Sequence, residues 1–149
     1  MSVSDNMTAE GKKLLAEINK LSKLRCKVGF RAGEATEPDG TDICDIAMWN
    51  EYGTSEIPSR PFLAQSVDNH QAEIDGFCKS ALTRLTQGAS ADQIMRTVGA
   101  KQVALIQEEI VNGDFAPNAP STIQKKGSDR PLIDTGHMRQ SVAYVIEEK

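Results

Sequence analysis

The chain predicts an α+β fold, a small, mostly antiparallel sheet packed against two long helices. Three observations carry this. Apolar residues recur at helical spacing over two long segments, about 62–86 and 90–112. Apolar and polar residues alternate at Leu24 to Phe30 and again near 141–147, the pattern of half-buried strands. Gly, Pro and Ser cluster between these segments and mark the connections. At 149 residues the chain reads as one domain, 1–149, large enough for a real core, with 1–7 as a flexible N-terminal end.

Each element has its own local reason. Thr8 to Ser22 predicts an amphipathic helix with Leu14, Leu15, Ile18 and Leu21 on one side. In the first strand Leu24, Cys26, Val28 and Phe30 alternate against Arg25 and Lys27. Arg31 to Asp42 is rich in Gly, Pro and acids and predicts a mobile loop. After a corner near residue 60, the first long helix carries Val67, Ile74, Phe77, Cys78, Ala81, Leu82 and Leu85. Gln87-Gly88-Ala89-Ser90 stops it, with Ser90 as the N-cap of the next. That second helix carries Ile94, Val98, Leu105, Ile106 and Ile110 and ends at Asn112-Gly113. The stretch 114–130 reads as a second mobile loop, with at most a short helix at Ser121 to Lys126. Val142, Tyr144 and Ile146 alternate in a closing strand that pairs with the first.

Composition narrows the function classes. A hydrophobic share of 39%, with only 5% aromatic residues, is slightly polar for a compact monomer and suits a chain completed by neighbouring subunits. A net charge of −4 argues against a protein that grips nucleic acid over its whole surface. Basic Lys20, Lys23, Arg25, Lys27 and Arg31 precede acidic Glu34, Glu37, Asp39, Asp42, Asp45, Glu51 and Glu56. That order fits complementary faces of adjacent subunits or plain solvated surface. Cys26, Cys44 and Cys78 lack CxxC spacing, so neither a zinc site nor a disulfide framework is expected. Met1 to Glu10 has no apolar signal region, and no apolar run is long enough for a bilayer. The expectation is a soluble protein made in a reducing cytoplasm.

The most informative stretch is Ile46-Ala47-Met48-Trp49-Asn50-Glu51-Tyr52-Gly53-Thr54 with Ile57-Pro58-Ser59-Arg60-Pro61-Phe62-Leu63, which holds the only Trp. It predicts a rigid corner with an aromatic plug. Asp45 to Tyr52 is helical, with Ile46, Trp49 and Tyr52, or Ala47 and Met48, sharing a face. Gly53 suits the C′ position that ends the helix, because it takes a left-handed conformation without steric cost. Pro58 and Pro61 exclude helix between them. Arg60 has donors for Glu51, Glu56 or backbone carbonyls.

Catalytic patterns are missing. His70 and His137 belong to no HExxH, GxSxG or HxH motif. His70 and Cys78 stand roughly 12 Å apart by helical rise, too far for a nucleophile–base pair. Asp134, His137 and Ser141 are sequence neighbours without the geometry a triad needs. The Lys125-Lys126-Gly127 loop with Arg130 lacks the glycine spacing of a phosphate loop. It reads as a solvated loop or as one that docks on an acidic surface or DNA phosphate. Asp134-Thr135-Gly136 is a turn, and Asp134 or Thr135 can cap a short helical turn through His137, Met138 and Arg139. No catalytic, cofactor-binding or metal-ligating residue is expected, and no enzyme.

Taken together, Val28-Gly29-Phe30, "IAMWNEYGT", "IPSRPFL" and "APSTIQKKGSDRPLIDTGHMRQSV" at Ala119 to Val142 resemble the tail-completion and neck proteins of tailed bacteriophages, the virion-morphogenesis or minor tail protein Z-like family. The resemblance spans roughly Val28 to Ile146. It implies a structural protein at the head–tail junction of a virion, made in the host bacterial cytoplasm, that forms a homo-oligomeric ring, with a hexamer as one candidate. Its implied partners are a connector or head-closure protein and a tail terminator or tail-tube protein. Genomic DNA would pass through the lumen without specific binding, and no membrane is involved. The implied assembly signature is Trp49, Asn50, Glu51, Tyr52, Gly53, Pro58, Arg60, Pro61 and Phe62, with Lys125, Pro131, Leu132, Asp134, Thr135 and Gly136. One departure is that many relatives place a tryptophan before the Pro-Ser-Thr-Ile segment, where Phe115 is the nearest aromatic here.

Two other readings stay open: a tail terminator capping the tail tube, and, outside virion assembly, a small hydrolase or ligand-binding module needing convergent titratable groups. In the neck reading the two loops order on docking, and the acidic Glu34 to Glu56 region either lines the lumen or faces outward. Replacing Arg60 or Trp49 with Ala is expected to damage subunit folding or ring formation.

Overall fold

The computed structural model describes residues 6–118, 132 and 136–149. The order of described elements is α1 (Ala9–Ser22), β1 (Leu24–Gly29), α2 (Ile43–Tyr52), α3 (Phe62–Asp68), α4 (Gln71–Thr86), α5 (Ala91–Asn112), α6 (His137–Gln140) and β2 (Ala143–Glu148). The fold is α+β, as the sequence predicts. Helix α5 is its axis, touching α1, α3, α4, α6 and both strands.

Among the described residues the sheet is two-stranded and antiparallel, with register from Leu24↔Glu148 to Gly29↔Ala143. Residues directly opposite share a face, so Cys26, Val28, Tyr144 and Ile146 form the side that lies on α5. Gly99 allows this approach: a Cβ there would stand 2.7 Å from the Tyr144 ring and 3.0 Å from Cys26 Sγ. Burial pushes the Cys26 thiol pKa up. On the other face Glu147 accepts from Arg25 at 2.7 Å and pairs with Lys27 at 2.8 Å. The closing strand starts at Ala143 because Ser141 still belongs to the preceding turn, its N–H bonded to the carbonyls of His137 and Met138.

The predicted helix over 62–86 is two helices. It breaks at Asn69 and His70, where His70 N–H closes a tight turn on the Val67 carbonyl at 3.2 Å. Asn69 Nδ2 donates to Glu109 Oε1 at 3.0 Å, and His70 Nδ1 lies 2.9 Å from the Ser66 carbonyl. Short polar side chains at this point compete with the helical ladder and anchor the bend on α5. Asp68-Asn69-His70 was the signal available for it. Helix α5 keeps its predicted bounds. Ser90 accepts from the Gln93 N–H while Gln93 accepts from the Ser90 N–H, a complete capping box.

Helix α1 begins at its Thr8 cap, but its predicted apolar face is only half used. Leu14 and Leu21 pack on a small cluster of Ala81, Leu85 and Ile94, while Leu15 and Ile18 remain exposed. The main core joins Ile43, Ala47, Phe62, Ile106, Ile110, Leu132, Met138 and Val142, with Phe30 and Phe115 packed against it. The 31–42 loop holds a Thr36↔Asp42 bridge, and its end is tied to α2 by the Ile43 N–H to Ala35 carbonyl bond at 2.9 Å. The expected helix at Ser121 to Lys126 and most of the 114–130 loop lie outside the described residues.

Candidate assembly surface at the α2–α3 corner

The corner is built from main-chain bonds that side chains lock in place. Asp42 caps α2 through the Cys44 N–H at 2.9 Å, so the helix starts two residues before the predicted Asp45. It ends at Gly53, whose φ of 76° with ψ of 169° is a glycine-only conformation outside the left-handed helical well. A Cβ at Gly53 would also meet Ser59 N at 2.9 Å and the Ile57 carbonyl at 3.0 Å. The loop then folds back on α2: Arg60 N–H bonds the Asn50 carbonyl at 2.6 Å and Ser59 Oγ donates to the Glu51 carbonyl at 2.8 Å. Thr54 Oγ1 accepts from the N–H groups of Glu56 and Ile57. Asn50 Nδ2 donates back to Ile46 within its own helix at 2.9 Å.

Two charged side chains finish the corner. Glu51 does not pair with Arg60. Its two oxygens accept from the Leu63 and Ala64 N–H groups at 2.8 and 3.1 Å, capping α3 across the turn. A carboxylate at a helix N-terminus satisfies donors that have no partner of their own. Pro61 at the N-cap position of α3 offers no side-chain hydrogen bond, so Glu51 supplies the cap from outside. Arg60 is 6% exposed and chooses backbone carbonyls, with Nε to Ala116 at 2.8 Å and Nη2 to Pro117 at 3.3 Å. Burial lowers its pKa from the ordinary guanidinium value. Glu56 takes no part in holding it.

The aromatic plug is not the one expected. Ile43 and Ala47 are the buried face of α2, and Phe62 fills the corner, edge-on to Phe30 at 5.9 Å between ring centres. Met48, Trp49 and Tyr52 point outward, 49%, 41% and 78% exposed. A ten-residue helix with apolar side chains all round has no moment to say which side is buried; here the packing of Ile43 and Ala47 decides. Pro58 is exposed and Pro61 partly buried.

The second half of the signature meets the first in space. Leu132 is buried in the same core as Phe62, together with Met138 and Val142. Gly136 takes the left-handed conformation (φ 83°, ψ 0°) at the N-cap of α6, without a side-chain cap. The cap was expected one or two positions earlier, at Thr135 or Asp134; Lys125, Pro131, Asp134 and Thr135 lie outside the described residues. Phe115 packs against the core and folds back on Gly113, where a Cβ would come within 2.5 Å of its ring.

Among the described residues no group of three His, Cys, Asp or Glu side chains is placed to hold a metal, and no helix is long and apolar enough to cross a membrane. His70 stands 3.9 Å from buried Glu109, and His137 Nδ1 is 3.1 Å from Glu37 Oε2. The residues that sequence reasoning missed are Glu51 as a remote cap, and Ala116 and Pro117 as the acceptors for Arg60. Pairings across a turn or over fifty residues leave no periodic trace. No protein-family model, no curated protein and no solved structure matches the chain.

Proposed function

We propose that this chain is a structural protein of a tailed-bacteriophage virion, a ring-forming neck component that completes the tail and joins it to the head. The observation that carries the reading is the corner itself. Half-buried Glu51 caps α3, buried Arg60 holds the loop and Gly53 takes a glycine-only turn, so that the α2–α3 angle is fixed and the frame turns Met48, Trp49 and Tyr52 to solvent. Exposed aromatic and Met side chains on a fixed helix make a contact surface, because rigid aromatic groups bury much area at little entropic cost. The meeting of Phe62 and Leu132 in one core supports treating the two sequence signatures as one structural unit. The role is non-catalytic and needs no cofactor.

The test is negative-stain imaging of particles assembled without this protein. Separate filled heads and finished tails are expected. Abnormally long tails would mean a tail terminator instead, and normal virions would refute both.

A further inference from the structure

Buried charges in folded proteins are paired or fully hydrogen-bonded, because water no longer solvates them. Arg60 departs from this rule. The residue is 6% exposed, yet no ion pair among the described residues includes it. The acids of the corner are engaged elsewhere or stand apart. Glu51 accepts with both oxygens from the Leu63 and Ala64 N–H groups, and Glu56 makes no ion pair with Arg60. Burial lowers the guanidinium pKa, and no carboxylate acts to raise it.

The unused donors have a place. A guanidinium is planar and carries five N–H donors in a fixed fork. Nε and Nη2 occupy one edge, on the Ala116 and Pro117 carbonyls at 2.8 and 3.3 Å. The other edge presents Nη1, from which nothing among the described residues accepts. Asn118 begins one peptide bond beyond the Pro117 carbonyl that Nη2 holds. Its Nδ2 is the one wholly enclosed side-chain nitrogen or oxygen without a partner among the described residues. Nη1, equally without a partner, is therefore not wholly enclosed, and a small group can reach it from outside. A buried cation and a buried amide beside it both lack an acceptor, and each such group calls for a specific explanation. Water would satisfy the hydrogen bonds and leave the charge uncompensated. An anion does both.

We propose that the open edge of Arg60, with Asn118 beside it, is a binding site for a carboxylate. Two parallel N–H···O bonds from a guanidinium edge match the two oxygens of a planar carboxylate. A singly charged group suits the place better than phosphate. The chain carries a net charge of −4, and Glu56 and Asp114 stand close in sequence to Arg60 and Ala116, so a dianion is repelled more than a monoanion. The carboxylate belongs to a free small acid or to an acidic side chain of a neighbouring subunit, and the recognition is the same for both. The site is a property of the corner and does not depend on the neck reading.

The full chain, held at constant ionic strength with chloride, is titrated with acetate, with acetamide as the neutral isostere and with inorganic phosphate. NMR of the Arg60 side-chain N–H signals, assigned with Arg60→Lys, reports binding, and Tm is read in parallel. Acetate should shift those signals saturably, with half-saturation in the millimolar range, and raise Tm. Acetamide should do neither, and phosphate should bind more weakly than acetate. Asn118→Leu removes a buried amide that has no partner, so in chloride it should melt no lower than the wild type. It should nonetheless bind acetate about fivefold more weakly, the loss of one hydrogen bond. Arg60→Lys should lose the saturable Tm response; if it fails to fold, the wild-type titration and Asn118→Leu still decide. Acetate that acts no differently from chloride, or an Asn118→Leu protein that binds it as the wild type does, would overturn the site. Phosphate binding more tightly than acetate would overturn the carboxylate assignment. Light scattering of the same samples tells the two sources apart: acetate that dissociates oligomers of the chain assigns the carboxylate to a neighbouring subunit, and binding at unchanged mass assigns it to a free acid.

Discussion

Arg60→Ala tests the corner most sharply. The side chain is almost wholly buried and donates to two carbonyls more than fifty residues away. A hydrogen bond from a charged donor contributes about 1.5–3 kcal/mol. The 2.8 Å bond to Ala116 earns that full range; the 3.3 Å bond to Pro117, a residue exposed to water, adds only about 0.5 kcal/mol. Loss of the packed stem adds a smaller increment. The sum is about 2–4 kcal/mol, a large part of the roughly 5–15 kcal/mol that holds a domain together. At roughly 3 °C per kcal/mol for a chain of this size, Tm should fall by about 6–12 °C. In urea the midpoint should fall by about 1–2 M with the slope unchanged. Arg60→Lys should recover less than half of the loss, because an ammonium lacks the fork that reaches both carbonyls. An Arg60→Ala protein melting within 1 °C of the wild type would refute the reasoning.

Other substitutions separate folding from assembly. Trp49→Ala with Tyr52→Ala should leave Tm within about 2 °C, since both side chains are exposed, yet should cut the yield of infectious particles at least tenfold in a complementation assay. A large loss of Tm would show that these rings are core. Glu51→Ala should cost about 1–2 kcal/mol by stripping the cap from α3, and chemical denaturation should show it, with Glu51→Gln losing less. Acid should weaken the fold in a defined direction. Lys27 and then Arg25 hold Glu147 below the ordinary carboxylate range by hydrogen bonding, as Lys20 holds Asp92 and Lys101 holds Glu73. A carboxylate lowered on folding stabilises fully above its unfolded pKa and loses that contribution as pH falls through the folded one. Tm should therefore be level from pH 7 to about 5 and decline below about 4.3, more gently at high salt; a rise in Tm on acidification across that range contradicts the assignment.

Much of the scaffold was legible in the sequence. Ser90 and Gln93 announce α5, and the alternation around Cys26 and Tyr144 marks both strands, because local hydrogen bonding and period-two patterning act within a few residues. Apolar spacing continues across the break at Asn69, so only the short polar run Asp68-Asn69-His70 signals it, and side-chain bonds to Ser66 and Glu109 bend the chain there. The site was half legible. Gly53, Pro58 and Pro61 forecast a corner from their own dihedral limits. The outward turn of Trp49 and Tyr52 was not forecast, because aromatic residues usually fill cores and only the packing of Ile43, Ala47 and Phe62 shows the inner places taken. Gly99 gave a sign that went unread: a glycine inside a strong helix marks a close approach, here by the Tyr144 ring.

The location of the chain in an assembled particle tests the central claim most directly. A short epitope tag at the N-terminus, bound by gold-labelled antibody and imaged on finished virions, should put the gold at the head–tail junction. Gold at the distal end of the tail or on the head shell, or virions that carry none of the tagged protein, would contradict the account.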